Sequence, residues 1–215
     1  MLLVNDLGTV DSNQVSTLYT ILHAQQNAIY FNGADGDAPV ASLWTSYWAS
    51  ELDLVQSLLL KVVVDANNLK VNFFYNDYNN MVSVSAATDN QIESDSIAAG
   101  GQDYSTITTL SARQAFAAVQ LCGTSNKTYL FLKEISSDGN IQTVDVLFPA
   151  MPIFLYTNPI LVKYVLDPLF ENQEAGRFPQ TYAMHDLGAN YPRAIGHPTG
   201  DGGSFKSPHE NSLVY

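Results

Sequence analysis

The sequence predicts a mainly α domain interrupted by one β-hairpin. Three observations carry that prediction. Apolar residues recur at helical spacing through much of the first half and again after Ser111. Residues 129–148 alternate in the manner of paired strands around a polar turn. Asn158-Pro159 and Asp167-Pro168 each place a capping residue ahead of a proline suited to the first helical position.

In chain order, Asp11 or Ser12 can cap a helix carrying Val15, Leu18, Tyr19, Leu22 and Ile29 and closing near Gly33. The loop FNGADGDAPV follows. Residues 43–64 place Tyr47, Leu54, Val55, Leu58, Leu59 and Val62 on one face, although the final LLLKVVV also suits a buried strand. Residues 78–98 carry a weaker helical pattern. Ser111 and Gln114 have capping-box spacing, ahead of an apolar stripe of Ala112, Ala115, Phe116, Val119 and Cys122 that Gly123 can stop. The hairpin pairs TYLFLKEI with IQTVDVLF across residues 136–140. Two short helices then follow Asn158 and Asp167, the second ending at Gly176.

Composition bounds the function. With 46% hydrophobic and 14% charged residues, a 215-residue chain has the makings of one folded domain, 1–215. Nine basic against 21 acidic residues give a net charge of −12, which repels phosphate backbones and anionic lipid surfaces. Neither nucleic acid nor membrane is therefore expected as a partner. The longest apolar-rich run, residues 52–64, is broken by Asp53, Gln56 and Lys61 and is too short to span a bilayer. The first residues, MLLVNDLGTVDSN, lack the basic region and long apolar core of a signal peptide. Cys122 is the only cysteine, so no internal disulfide is possible, and its apolar setting reads as inert core. No GxSxG or Walker motif is present, and no cofactor is expected. Asn126-Lys127-Thr128 is a single N-glycosylation sequon, which matters in a secreted protein.

Residues 170–202 concentrate chemistry: two Glu, two Asp, two His and two Tyr stand among glycines and prolines. Burying such groups is costly unless they are paired, so this stretch reads as loops that build a surface. The segments LSARQAFAAVQL (110–121), YLFLKEISSDGNIQTVDVLFPAMPIFLYTNP (129–159), VLDPLFENQEAG (165–176) and YAMHDLGANYPRAIGH (182–197) resemble the fungal glutaminase A family. The resemblance runs from about Tyr75 to Gly202. It implies a secreted hydrolase that converts L-glutamine to glutamate and ammonia. It also implies a six-hairpin α/α toroid related in fold to certain glycosidases, here a part of one with a β-hairpin insertion. From residue 203 to 215 the text, GSFKSPHENSLVY, departs from the family pattern. The expectation is an incomplete toroid.

Amide hydrolysis needs an activated nucleophile or water, a proton donor for the leaving nitrogen and stabilisation of the oxyanion. In the resembling segment Asp186 is the first candidate for the acid/base or electrostatic role, assisted by Glu171 or Glu174. A turn-capping role for Asp186 is an equal competitor. His185, Tyr182, Tyr191, Arg193 and His197 are candidate substrate-binding residues; Arg193 would match an α-carboxylate by bidentate bonding, or else form a surface ion pair. A metal site from His185, Asp186, His197 and Asp201 lacks any HExxH-type spacing, and no metal is expected. The competing function is a non-catalytic secreted module that binds a glycan or another partner, with Trp44, Tyr47 and Trp48 as stacking residues. Missing hairpins would leave apolar surface exposed, and self-association is expected of it.

Overall fold

Gly101 organises the helical half. Helix α1 spans Asn72–Ala117, and at Gly101 its backbone adopts φ 80°, ψ −172°, a region open essentially to glycine alone. The chain turns back there. Thr108 Oγ1 donates to Ser96 Oγ across the two limbs at 2.7 Å, and Ile92 and Ala112 are buried on the facing sides. The result is a helical hairpin. The computed structural model describes residues 8, 23–54, 72–134 and 139–200.

Strands β1 (Asn27–Gly33) and β2 (Gly36–Ala41) form an antiparallel hairpin, and the short β5 (Arg193–Ala194) runs parallel to β1, giving the order β2-β1-β5. Strands β3 (Val119–Gly123) and β4 (Thr128–Leu132) form a second hairpin. Helices α2 (Val144–Thr157) and α3 (Ile160–Glu174) follow. The core collects Ile29 and Phe31 of β1, Tyr129 to Leu132 of β4, Leu147 and Phe154 of α2, and Val165 and Leu169 of α3. Met184 and Leu187 seal it from the loop beyond. Each such side chain contributes about 1.5–3 kcal/mol on burial. Among the described residues no helix is long and apolar enough to cross a membrane.

Several expected elements take another form. Ile29 and Gly33 belong to β1 and not to a helix end; residues 15–22 of that expected helix lie outside the described residues. Of the helix expected over residues 43–64, the described part is a 3-10 turn at Leu43–Ser46 and helical residues 51–54, with Tyr47 exposed. Ser111 caps nothing. It lies inside α1, where its hydroxyl bonds back to the carbonyl of Ile107 at 2.8 Å. The stripe that continues through Val119 and Cys122 leaves the helix at Ala117, because those residues satisfy their backbone groups against β4, in register from Val119↔Leu132 to Gly123↔Thr128.

The predicted partner strand, residues 141–148, is mostly helix α2; the residues around 136–138 lie outside the description. Among the described residues that pairing is represented by an isolated bridge, Lys133↔Ile141. The fully buried Gln142 takes over, with φ 58°. Its amide donates to the carbonyls of Leu130 (3.1 Å) and Val165 and accepts from the amide of Leu132, so one side chain ties β4 to α3. Helix α3 begins beside Asn158, whose Oδ1 accepts from the Ile160 amide at 3.3 Å, and closes at Gly176, as expected. Asp167-Pro168 does not start a helix. It lies within α3, and Asp167 pairs with Lys163 one turn earlier.

Candidate functional site

The loop after α3 is fastened at many points. Gln173 of α3 accepts from the Met184 amide at 3.0 Å. The Val144 amide donates to the His185 carbonyl at 2.9 Å, Leu187 donates to Ile141 at 2.7 Å, and Ile141 donates to Gly188 at 3.0 Å. The Gly196 amide closes the loop on Leu187 at 2.9 Å. Backbone pairing thus sets residues 185–188 against the start of α2 before any side chain is considered.

Asp186 stands at the centre, 2% exposed. Its Oδ2 meets Nδ1 of His185 at 2.8 Å, and its Oδ1 meets Nε2 of His197 at 2.8 Å and the Gly188 amide at 2.6 Å. An ionised carboxylate only accepts, so each facing imidazole nitrogen must carry a proton. Burial works against the charge, but the bonds from His185, His197 and Gly188 outweigh it and hold the carboxyl well below the usual carboxylate range. The His185 imidazole is likewise opposed by burial, and Asp186, with Asp145 and Glu134 behind it, raises its pKa above the ordinary histidine value. Asp145 Oδ1 lies 3.5 Å from His185 Nε2.

Both oxygens of Asp186 are occupied, and almost none of its surface is exposed. It can orient two imidazoles and stabilise their charged forms. Asp186 thus faces His185 and His197 together, an arrangement that joins three of the candidate residues in one cluster. The sequence identified the Asp186 carboxylate but not its service to the histidines, which depends on His197 returning across an eleven-residue loop.

Glu171 and Glu174 lie in a different place. Glu171 Oε2 accepts from the Tyr129 hydroxyl at 2.5 Å and from Lys127 Nζ at 2.9 Å, and its Oε1 accepts from the Ala34 amide at 3.0 Å. Partial burial opposes ionisation, yet these three donors hold the carboxyl below its ordinary range. Burial, followed by the Glu171 carboxylate, pushes the Tyr129 phenol up to about 12. Gly33 makes the approach possible, since a β-carbon there would stand 2.6 Å from Glu171 Oε1. Glu171 and Glu174 border a depression of about 450 Å³ that includes none of the residues around Asp186. Glu171 and Asp186 thus have separate sets of partners, each of which holds its carboxyl below the ordinary range.

The remaining candidates scatter. Arg193 pairs with Asp37 at the surface and lies over the Tyr30 ring at 5.6 Å, the ordinary ion-pair alternative. Tyr191 bonds to Gln120 at 3.1 Å and has Lys133 4.3 Å from its ring centre. Tyr182 is half exposed and meets Phe178 edge-on. Trp44 donates its indole N–H to the Gln25 carbonyl at 3.0 Å, and Tyr47 and Trp48 meet nearly edge to face at 5.9 Å. Cys122 is fully buried, and burial pushes its thiol up to about 12. Among the described residues no cluster of three or more His, Cys, Asp or Glu has the arrangement to hold a metal; Asp201 lies outside them.

A cavity of about 970 Å³ runs between the limbs of α1, the end of β4 and helix α2. It was invisible in the sequence. Its walls are mostly apolar, with Asp95, Lys133, Glu134 and Tyr156 as polar members. Glu134 lines the cavity, accepts from the Thr143 hydroxyl at 3.1 Å and adds the least of the charges that raise the His185 pKa.

Residues 101–212 match the family model described as the glutaminase A six helical-hairpin domain, and residues 2–95 match a domain of unknown function (DUF5127). The chain is 48% identical over 197 residues to Glutaminase A of Aspergillus oryzae, covering 91% of this chain and 26% of that protein. It is 39% identical over 198 residues to a protein of Arthroderma benhamiae also named as a glutaminase, covering 90% of this chain and 21% of that relative. The chain therefore spans about a quarter of the length of these relatives. No solved structure matches it.

Proposed function

The chain belongs to the glutaminase A family, and from that premise we propose that it forms part of a hydrolase acting on the side-chain amide of L-glutamine. The family relationship carries the reading. The geometry around Asp186 supports it. A buried, ionised carboxylate aligns His185 and His197, which supplies imidazoles suited to take a proton from water and return one to the leaving nitrogen. Glu134, one of the charges that raise the His185 pKa, also lines a cavity of about 970 Å³.

We further read the helices as part of a six-hairpin toroid, and the protein as secreted. Support for the toroid comes from exposed apolar residues outside that cavity: Leu110 and Phe116 of α1, and Phe148 and Leu155 of α2. Further helices packed there would cover them; alone, the same faces favour self-association.

Replacing the matching segment of the A. oryzae protein with this chain tests the function. Ammonia release from L-glutamine should survive the exchange and fall at least tenfold with Asp186→Asn. A folded chimera without activity would sink the proposal. The competing glycan-binding reading rests on Tyr47, 61% exposed beside Trp48, and silence of the chain on a glycan array would remove it.

A further inference from the structure

We propose that Asn126 is an acceptor for N-linked glycosylation and that the β3–β4 turn carries the sugar. Asn126-Lys127-Thr128 is the one sequon in the 215 residues. The transferase reads such a triplet in an extended chain, so the folded structure bears on a second requirement: the modified side chain must be tolerated. Asn126 meets it. It sits at the tip of the hairpin, in a turn closed by the Thr124 amide on the Lys127 carbonyl at 2.9 Å and the Lys127 amide on the Thr124 carbonyl at 3.2 Å. Thr124, Ser125, Asn126 and Lys127 are all exposed.

Nothing in the fold depends on the Asn126 amide. The turn is held by the backbone, by the Thr124 hydroxyl accepting from the Lys127 amide at 3.1 Å, and by the Thr128 hydroxyl donating to the Thr124 carbonyl at 2.9 Å. Among the described residues no hydrogen bond involves the Asn126 side chain. Cys122 and Tyr129 anchor the hairpin in the core, while exposed Asn126 borders the open depression beside Glu171 and Glu174.

The co-reactant is an oligosaccharide joined through its reducing-end sugar to a lipid diphosphate. The Asn126 amide nitrogen attacks the anomeric carbon, the N–C bond forms, and the C–O bond to the diphosphate breaks. The lipid diphosphate leaves with the electron pair, and the amide proton passes to a base. No oxidation or reduction is involved. The inference needs passage through the secretory pathway, which is part of the reading above, but it does not need glutamine hydrolysis.

The test is to direct the 215-residue chain, with a cleavable leader, into the secretory pathway of a yeast and to weigh both the cell-associated and the exported protein. The expected result is a heavier chain that peptide N-glycosidase reduces to the polypeptide mass plus the increment of Asn126 turned to Asp. Asn126→Gln and Thr128→Ala should both abolish the shift, and Thr128→Ser should retain it. An unshifted wild-type chain inside the secretory compartment, or a shift that persists in Asn126→Gln, overturns the proposal. Retention of the far-ultraviolet circular dichroism spectrum in Asn126→Gln excludes misfolding as the cause of any loss. Ammonia release measured on the same samples separates failure of this inference from failure of the hydrolase reading.

Discussion

Asp186 and Glu171 are both carboxylates held ionised by three donors, yet they do different work. Asp186 is sealed, and two of its donors are imidazoles that can themselves change charge. Glu171 sits at the rim of a depression, and its donors are a phenol, an ammonium and a backbone amide, none of which titrates near neutrality. The difference teaches that the state of a carboxylate does not define its role. What its partners can do with a proton decides whether the cluster can take part in acid–base chemistry or only holds the fold together.

The largest effect should come from Asp186→Asn. An amide cannot accept from both imidazoles and the Gly188 amide, so buried donors lose their partner, at a cost of about 3 kcal/mol in urea unfolding. The pH profile of the parent sharpens the point. The lowered pKa of Asp186 means stability that is present above about pH 4 and lost as acid protonates it in the folded state. The variant should lack that acid limb. If it unfolds at the same urea concentration as the parent, the central place given to Asp186 is wrong.

Tyr129→Phe should cost less, about 1.5 kcal/mol, since it removes one bond to a charged acceptor and keeps the ring packed on Phe31 and Phe131. A loss above about 3 kcal/mol would mean that the Glu171 cluster, and not the Asp186 cluster, is the main polar tie.

His185→Gln probes the alkaline side. A raised histidine pKa gives stability that is complete below about pH 6.5 and lost as pH climbs through the folded value. The parent should therefore weaken as pH rises through that folded value, and the variant should show a flatter profile there. Equal slopes would show that Asp186 gains nothing from that imidazole's charge. Lys127→Ala should do least, a few tenths of a kcal/mol, because its ammonium is mostly solvated.

Local signals in the sequence were reliable where local chemistry decides. Helix α3 begins just after Asn158, whose side chain accepts from the Ile160 amide, and gives out at Gly176, where φ is 69°. Distant pairing defeated the periodicity elsewhere. Val119 and Cys122 fit a helical stripe as well as a strand, and only β4 resolves the choice. Ile29 turns from helix to strand for the same reason, its neighbours Tyr30 and Phe31 meeting Arg193 and Ala194 from the far end of the chain. At the site, the sequence picked out Asp186, His185 and His197. It could not assign their roles, because burial and the choice of proton donors depend on how the loop folds over Ile141 and Val144.

The hairpin turn at Gly101 governs how the chain can be dissected. One family match ends at residue 95 and the other begins at 101, so the seam between them falls at the end of a helical limb, not in a free linker. A cut there would separate Ser96 from Thr108 and uncover Ile92 and Ala112, which now bury each other's side of the groove. The two matched regions share one helical hairpin, and a fragment begun at residue 101 would carry an open face where its partner limb belongs.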